Sequence, residues 1–465
     1  MYFFFLSGND YFYMYNVINY FFYLLILFFF VLFFSSFFVE VGIRDYIFRE
    51  NFGVVLELLV FFLFIVYYLV IYNYIIILNY NFFEILTFII MCIFGVGVFF
   101  HLDDFISIYM VLEYISFCFY ILTAFSRKSV HSFETGLKYF ILSSFSSMLL
   151  LFGISFLYGF SGILYLGDFH LFFFNYSSDV NIYISYSDIY ILSFLCVMVG
   201  ILFKLYVFPF HFWVGDIYHG SLIVVAFFFS VVSFFPFFYI LYKLYDYVLM
   251  FFSGDIYFIY VFFSIGSMLI GCLGAIQQKK IRKVIAYSSI TAVGYYLTYF
   301  LFPDFIMIRN IFFFIFVYVL TLIGVWIFIL NNKFLCFNGF LESISLYSGL
   351  IKYQYLSPLL FLFFLFSLGG LPPFPSFVAK IFWLVSLMKN FLDFFVVVVL
   401  LVTLLGFFFY IRIGKHIFYD NTKHWYFITN VLFECSYLFF FIFIFNCILI
   451  FNPSFIFSIL ECSIF

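Results

Sequence analysis

Charge is what this sequence lacks most. Of its 465 residues only 9% are Asp, Glu, Lys or Arg, against roughly 25% in an ordinary soluble domain. With 68% hydrophobic residues and a mean hydropathy of +1.25, no solvated surface can be built, which excludes a soluble protein and leaves a polytopic membrane protein. Paired cysteines are missing too. The eight Cys are scattered, with no C-x-x-C and no Cys/His cluster at metal spacing, so neither a disulfide framework nor an iron–sulfur or zinc site is encoded. No basic residue precedes Arg44; a secretory n-region and an Arg-rich import helix are therefore both absent from view, which for an organellar protein favours synthesis inside the organelle. Phosphate-binding glycine loops are lacking as well, because glycines such as Gly95 and Gly97 sit in apolar runs, where close helix packing is the expected use.

Aromatics are present in excess: 91 Phe and 42 Tyr, more than membrane packing demands. Phe, Tyr, Ile and Asn have A+T-rich codons, and the composition fits a strongly A+T-biased genome. A spanning helix needs about 20 apolar residues, and splitting the apolar runs at polar, Gly and Pro positions predicts thirteen: 17–39, 53–78, 83–100, 103–124, 134–158, 187–212, 221–247, 257–276, 281–301, 304–330, 354–386, 390–412 and 433–457. The runs show no period-2 alternation, which excludes a barrel. Eleven Lys and Arg, among them Arg127, Lys128, Lys279, Lys280 and Arg282, fall on the N-terminal side, and five (Arg44, Arg49, Lys243, Arg309 and Lys389) on the other. That asymmetry puts the N-terminus on the matrix or cytoplasmic side. The stretch 159–186, with Asp168 and Asp179 and no Lys or Arg, reads as an outer loop or lid.

Ionisable residues inside apolar runs cost at least about 2.5 kcal/mol each and mark function by default. Glu113 lies near the middle of its helix. Lys204 precedes Pro209, and Lys380 follows Pro372 and Pro373, each inside one apolar run. Proline there frees carbonyls that can line a cavity. Lys138 follows Glu134 at i+4, in the favourable order for an ion pair. The sequence order Lys-then-Pro and Pro-then-Lys is what an inverted repeat would give, as in transporters with discontinuous helices. This divides the chain into N-terminal helices 1–101, a first repeat 102–250, a second 251–415 and a C-terminal helix 416–465.

Four stretches carry a resemblance: VLEYISFCFYILTAFSRKSVHSFETGLKYFILSS, GILFKLYVFPFHFWVGDIYHG, GAIQQKKIRKVIAYSSITAVGYYL and LFSLGGLPPFPSFVAKIFWL. From about residue 101 to 386 the chain resembles the antiporter-like proton-channel subunits of respiratory complex I (NADH:ubiquinone oxidoreductase), their subunit-2 branch above all. The resemblance implies an all-α transmembrane bundle of about thirteen helices, with two inverted five-helix repeats and two broken helices. It also implies a proton relay of Glu113, Lys138, Lys204 and Lys380 in the mitochondrial inner membrane. Flavin, iron–sulfur clusters, NADH and ubiquinone would belong to partner subunits, none being bound here, and the partners would be other membrane-arm subunits and lipids, not nucleic acid. Two positions depart from the family. Its central lysine falls on Phe234, and the position after SIT, often His, is Ala292. A water chain past Ser230, Ser233 and Thr291 is the expected detour, Lys243 being too far along its helix to reach. A structural subunit with an interrupted relay and a stand-alone cation/proton antiporter component are the competing readings.

Overall fold

The structure, a computed structural model, describes residues 47–78, 82–126, 129–176, 180–247, 253–301, 305–331, 343–352, 355–389, 393–420 and 433–464. Among these residues the protein is helical throughout, with two isolated bridges, Asp104–Tyr165 and Lys280–Ser343, in place of any sheet. Helices α1 (Ile47–Leu78), α2 (Phe82–Phe99), α3 (Phe105–Thr123), α4 (Val130–Ser161), α5 (Leu166–Tyr176) and α6 (Val180–Lys204) lead to a break. After it come α7 (Val214–Gly220), α8 (Ile223–Val232), α9 (Phe234–Tyr247), α10 (Ser253–Gln277), α11 (Ile281–Leu297) and α12 (Phe305–Asn331). The chain closes with α13 (Leu356–Gly369), α14 (Pro375–Lys389), α15 (Asp393–Phe418), α16 (Phe433–Phe451) and α17 (Ser454–Ile464). Eight described segments are long and apolar enough to cross a membrane, and four shorter apolar helices accompany them.

The predicted span 17–39 lies outside the described residues. The other twelve coincide with helices, and the two broken helices expected are present: the 187–212 run unwinds after Lys204, and the 354–386 run breaks between Gly369 and Pro375. Three features differ. The 221–247 run is interrupted at Ser233, because Pro236 cannot continue a preceding helix and sits instead in the first turn of α9. The 433–457 run breaks before Pro453, and α17 follows. Within the expected loop 159–186 lies α5, whose Leu166, Phe169 and Phe173 are buried, so this stretch packs as part of the bundle and is no free lid.

Three segments form the centre. In the most apolar stretch of 223–247 every residue is buried within the protein and in those of 281–301 and 306–331 94% are, whereas in those of 130–161 and 394–418 only 39% and 33% are. Aromatic contacts fill the interior: Phe328 stacks on Phe361 at 3.9 Å, and Phe52 meets Phe312 edge-on at 4.5 Å. Buried hydroxyl and indole groups also cross-link the helices, Tyr67 donating to the Val224 carbonyl at 3.1 Å and Trp383 Nε1 to Thr298 Oγ1 at 2.8 Å. Helices α10 and α11 approach so closely at Gly271 that a Cβ there would lie 2.4 Å from Thr291 Cγ2 and 2.7 Å from its backbone nitrogen.

Basic residues sort as the charge count requires. Lys280, Lys283 and Arg412 gather at the end of the bundle where α11 begins, with Arg412 donating to the Ile276 and Gln278 carbonyls. At the other end Lys243 meets Asp103 and Arg309 meets Glu461.

Candidate functional site

Lys204 ends α6. Beyond it the backbone unwinds through Tyr206, which takes a positive φ of 48°, and the ladder shifts so that the Val207 amide bonds back to the Leu202 carbonyl at 3.1 Å. The side chain points into the protein, 3% exposed, and its Nζ is buried without a hydrogen-bond partner. Glu113, half-buried on α3, is the carboxylate whose charge reaches Lys204, and its Oε1 is likewise buried and unpartnered. An amine and a carboxyl oxygen buried without hydrogen-bond partners are each poorly solvated. Such a pair changes energy strongly when either group gains or loses a proton, which is the property a proton relay needs.

Lys380 occupies the corresponding place on the second broken helix. Gly370 closes α13 in the left-handed conformation, φ +78°, turning the Gly369 carbonyl toward α14, where Lys380 Nζ donates to it at 2.9 Å. The ammonium also lies 5.4 Å from the centre of the Tyr295 ring, a cation–π distance. Lys380 borders a cavity of about 20 Å³, lined also by Ser288, Thr291, Tyr318 and Tyr410, large enough for a water molecule.

Lys138 sits elsewhere. Its side chain is 44% exposed, and the ammonium lies 2.8 Å from Glu134 and 3.3 Å from Asp216. Asp216, on α7, also accepts from Lys283 at 2.8 Å. Partial burial raises the affinity of the Asp216 carboxyl for a proton, but hydrogen bonds and charge from Lys283 and Lys138 outweigh it and hold the group below its usual range. Lys280 adds a contact to His219 at 2.6 Å. The result is an exposed charged mouth at the basic end of the bundle, on α4, α7 and the start of α11. Sequence reasoning missed Asp216 and Lys283, although the DIY and KKIRK strings carried them.

Phe234 is buried and packs on Tyr296 at 4.7 Å and Phe238 at 5.5 Å, so this position is walled by rings. Lys243 is tied down far from it, donating to the Leu102 carbonyl at 2.8 Å and to Asp103 at 2.6 Å. Of the hydroxyls expected beside the gap, Thr291 borders the cavity, while Ser230 and Ser233 donate to their own helix at Phe227 and Phe229. Among the described residues no group of three His, Cys, Asp or Glu side chains is placed to hold a metal ion.

Comparison with known proteins gives this arrangement its relatives. The chain is 32% identical over 326 residues to the NADH-ubiquinone oxidoreductase chain 2 of Marchantia polymorpha, a match spanning 69% of this chain and 64% of that one. It is 32% identical over 354 residues to the NADH-quinone oxidoreductase subunit N of Pelagibacter ubique, spanning 74% of this chain and 70% of the relative. A chain of respiratory complex I from Thermus thermophilus shares the fold, with a TM-score of 0.71 at 20% identity over 88% of this chain and 86% of that one. Residues 103–406, which hold Glu113, Lys138, Lys204 and Lys380, match one family throughout, and the chain belongs to the NADH:quinone oxidoreductase/Mrp antiporter transmembrane family.

Proposed function

We propose that this chain is a proton-translocating membrane-arm subunit of an NADH:quinone oxidoreductase, moving protons across the membrane while partner subunits oxidise NADH and reduce quinone. The observation that carries the reading is the Lys204–Glu113 pair: a lysine buried without a hydrogen bond and a carboxylate in electrostatic range of it. A scaffold gains nothing from such a pair. Burying an amine and a carboxyl with no direct ion pair or hydrogen bond between them costs more than filling the space with Leu, so their presence supports transport over a purely structural role. Relatives named as chain 2 and subunit N favour an oxidoreductase subunit over a stand-alone antiporter.

In this reading a charge change in a neighbouring subunit moves Glu113 relative to Lys204, and Lys204 passes its proton toward Lys380. The mouth of Lys138, Asp216 and Lys283 collects protons from the basic side. Residues 102–250 and 251–415 act as two copies of one unit, each carrying a lysine at a broken helix. The chain itself holds no flavin, iron–sulfur cluster or nucleotide; those, with ubiquinone, belong to its partners. The excess of eleven basic residues over five supports an N-terminus in the matrix, and the A+T-rich composition supports mitochondrial encoding and an inner-membrane location. The test is Lys204→Ala in the assembled complex, reconstituted in vesicles. Protons pumped per NADH should fall with assembly and NADH oxidation retained; unchanged pumping in a fully assembled variant would refute the reading.

A further inference from the structure

With Phe234 in the centre, Lys204 and Lys380 lack the amine that should stand between them, and buried tyrosines occupy the interval. Tyr206, two residues beyond Lys204 in the unwound stretch, brings its hydroxyl within range of those of Tyr218 on α7 and Ser289 on α11. Ser288, the neighbour of Ser289 on α11, borders a cavity with Tyr318 on α12 and Tyr410 on α15. Lys380 borders the same cavity, together with Cys272. Tyr296 flanks this file, its ring 6.3 Å from that of Tyr318 and 4.7 Å from that of Phe234. The hydroxyls thus pass beside the phenyl ring and do not cross it.

Their hydrogen bonding is incomplete. Tyr218, Tyr296 and Tyr318 are 0%, 2% and 8% exposed, yet none of their hydroxyls has a partner. One buried unpaired hydroxyl costs about 1 to 3 kcal/mol, and three would be a heavy burden on the fold. Water bound between them removes that cost, since a buried water typically makes about three hydrogen bonds. The serines present the complementary polarity. Ser288 and Ser289 give their own protons to the Ile285 and Ala286 carbonyls at 2.7 Å and so face the tyrosines as acceptors.

We propose that this hydrated file of hydroxyls, Tyr206, Tyr318 and Tyr410 with Ser288 and Ser289, carries protons between Lys204 and Lys380 in place of the lysine that Phe234 displaces. Each tyrosine or water oxygen accepts a proton on a lone pair and releases its own to the next oxygen, and Ser288 and Ser289 do the same by turning their hydroxyl protons away from the Ile285 and Ala286 carbonyls. One proton leaves the Lys204 ammonium, one reaches the Lys380 amine, and every hydroxyl and water between them ends neutral. The proposal rests on the proton-translocating reading above.

Tyr318→Phe and Tyr410→Phe keep the ring and remove the hydroxyl. In the assembled complex in vesicles, each should lower protons per NADH to the level of Lys204→Ala, and adding Phe234→Lys to Tyr318→Phe should restore at least half of the loss. Normal pumping by both tyrosine variants, with Lys204→Ala impaired, would overturn the hydroxyl file and leave the translocation reading standing. Normal pumping by Lys204→Ala as well would bring down both. Should either tyrosine variant fail to assemble, a high-resolution map of the unaltered complex decides: ordered water on the Tyr218, Tyr296 and Tyr318 hydroxyls supports the file, and a dry gap there refutes it.

Discussion

Adding one methyl group at Gly370 tests whether Lys380 works from the position in which the structure holds it. Gly370 is fixed from both sides, its amide donating to the Phe366 carbonyl at 3.1 Å and the Ser367 carbonyl at 2.9 Å, with φ at +78°. Alanine in that conformation costs about 1 to 2 kcal/mol of backbone strain. Its Cβ would also stand 2.9 Å from both Cδ and Nζ of Lys380, about half an ångström inside ordinary contact. The lysine must retreat, and its hydrogen bond to the Gly369 carbonyl, now 2.9 Å, lengthens to or beyond the limit of about 3.2 Å for a sound bond. A hydrogen bond from a charged donor is worth about 1.5 to 3 kcal/mol, and losing half of it alters the protonated state of Lys380 by roughly 1 kcal/mol, a several-fold change in proton transfer. Gly370→Ala should therefore assemble, unfold at a lower temperature and pump fewer protons per NADH in vesicles. In a Lys380→Met background the methyl group should lower stability again but reduce pumping no further. A double variant that pumps less than Lys380→Met alone, or a Gly370→Ala complex that is destabilised and pumps normally, would refute the argument.

Glu113→Gln should reduce pumping several-fold while leaving the yield of assembled complex within about a factor of two; lost yield with normal pumping in the residual complex would mark Glu113 as structural. Lys243→Met removes the tie from α9 to Leu102 and Asp103 at the opposite end from the basic mouth, so it should lower thermal stability by about 1.5 to 3 kcal/mol and leave protons per NADH unchanged. Asp216 has a carboxyl held below its ordinary value of 3.8 by Lys283 and Lys138 against the opposing effect of burial. Its contribution to stability is thus complete above that value and lost only as pH falls through the lower folded-state value. Titrating the complex from pH 7 to 5 should show no stability loss that Asp216→Asn abolishes, and thermal unfolding across that range checks it.

The spans were legible because a membrane helix needs only an uninterrupted apolar run, and the breaks at Lys204 and before Lys380 were legible because Pro209, Pro372 and Pro373 stand in such runs. The break at Ser233 was written in Pro236, three residues on. Helix α5 has Leu166, Phe169 and Phe173 at helical spacing, but its 11 residues fall short of a span and so read as loop. What the sequence could not reveal is which helices form the centre. Lipid and protein core are both apolar, so periodicity carries no signal distinguishing them: 223–247 is enclosed along its apolar stretch, and the comparably apolar 394–418 is mostly exposed.

The site divides in the same way. Glu113, Lys204 and Lys380 stood out because charge is costly in an apolar run, whereas the partners of Lys138 did not, since Asp216 lies 78 residues away and only folding brings it near. The tyrosines were hidden by number: among 42, none is conspicuous until Tyr206, Tyr318 and Tyr410 arrive from three helical regions at one place. Base composition accounts for that abundance but not for Phe234. Lysine codons are as rich in A as phenylalanine codons are in T, so drift toward A+T gives no reason to lose a lysine while it readily supplies tyrosines. In the proposed path the work of a central amine falls to the groups beside Phe234, which touches Tyr296, itself beside Tyr318 at the edge of the hydroxyl file.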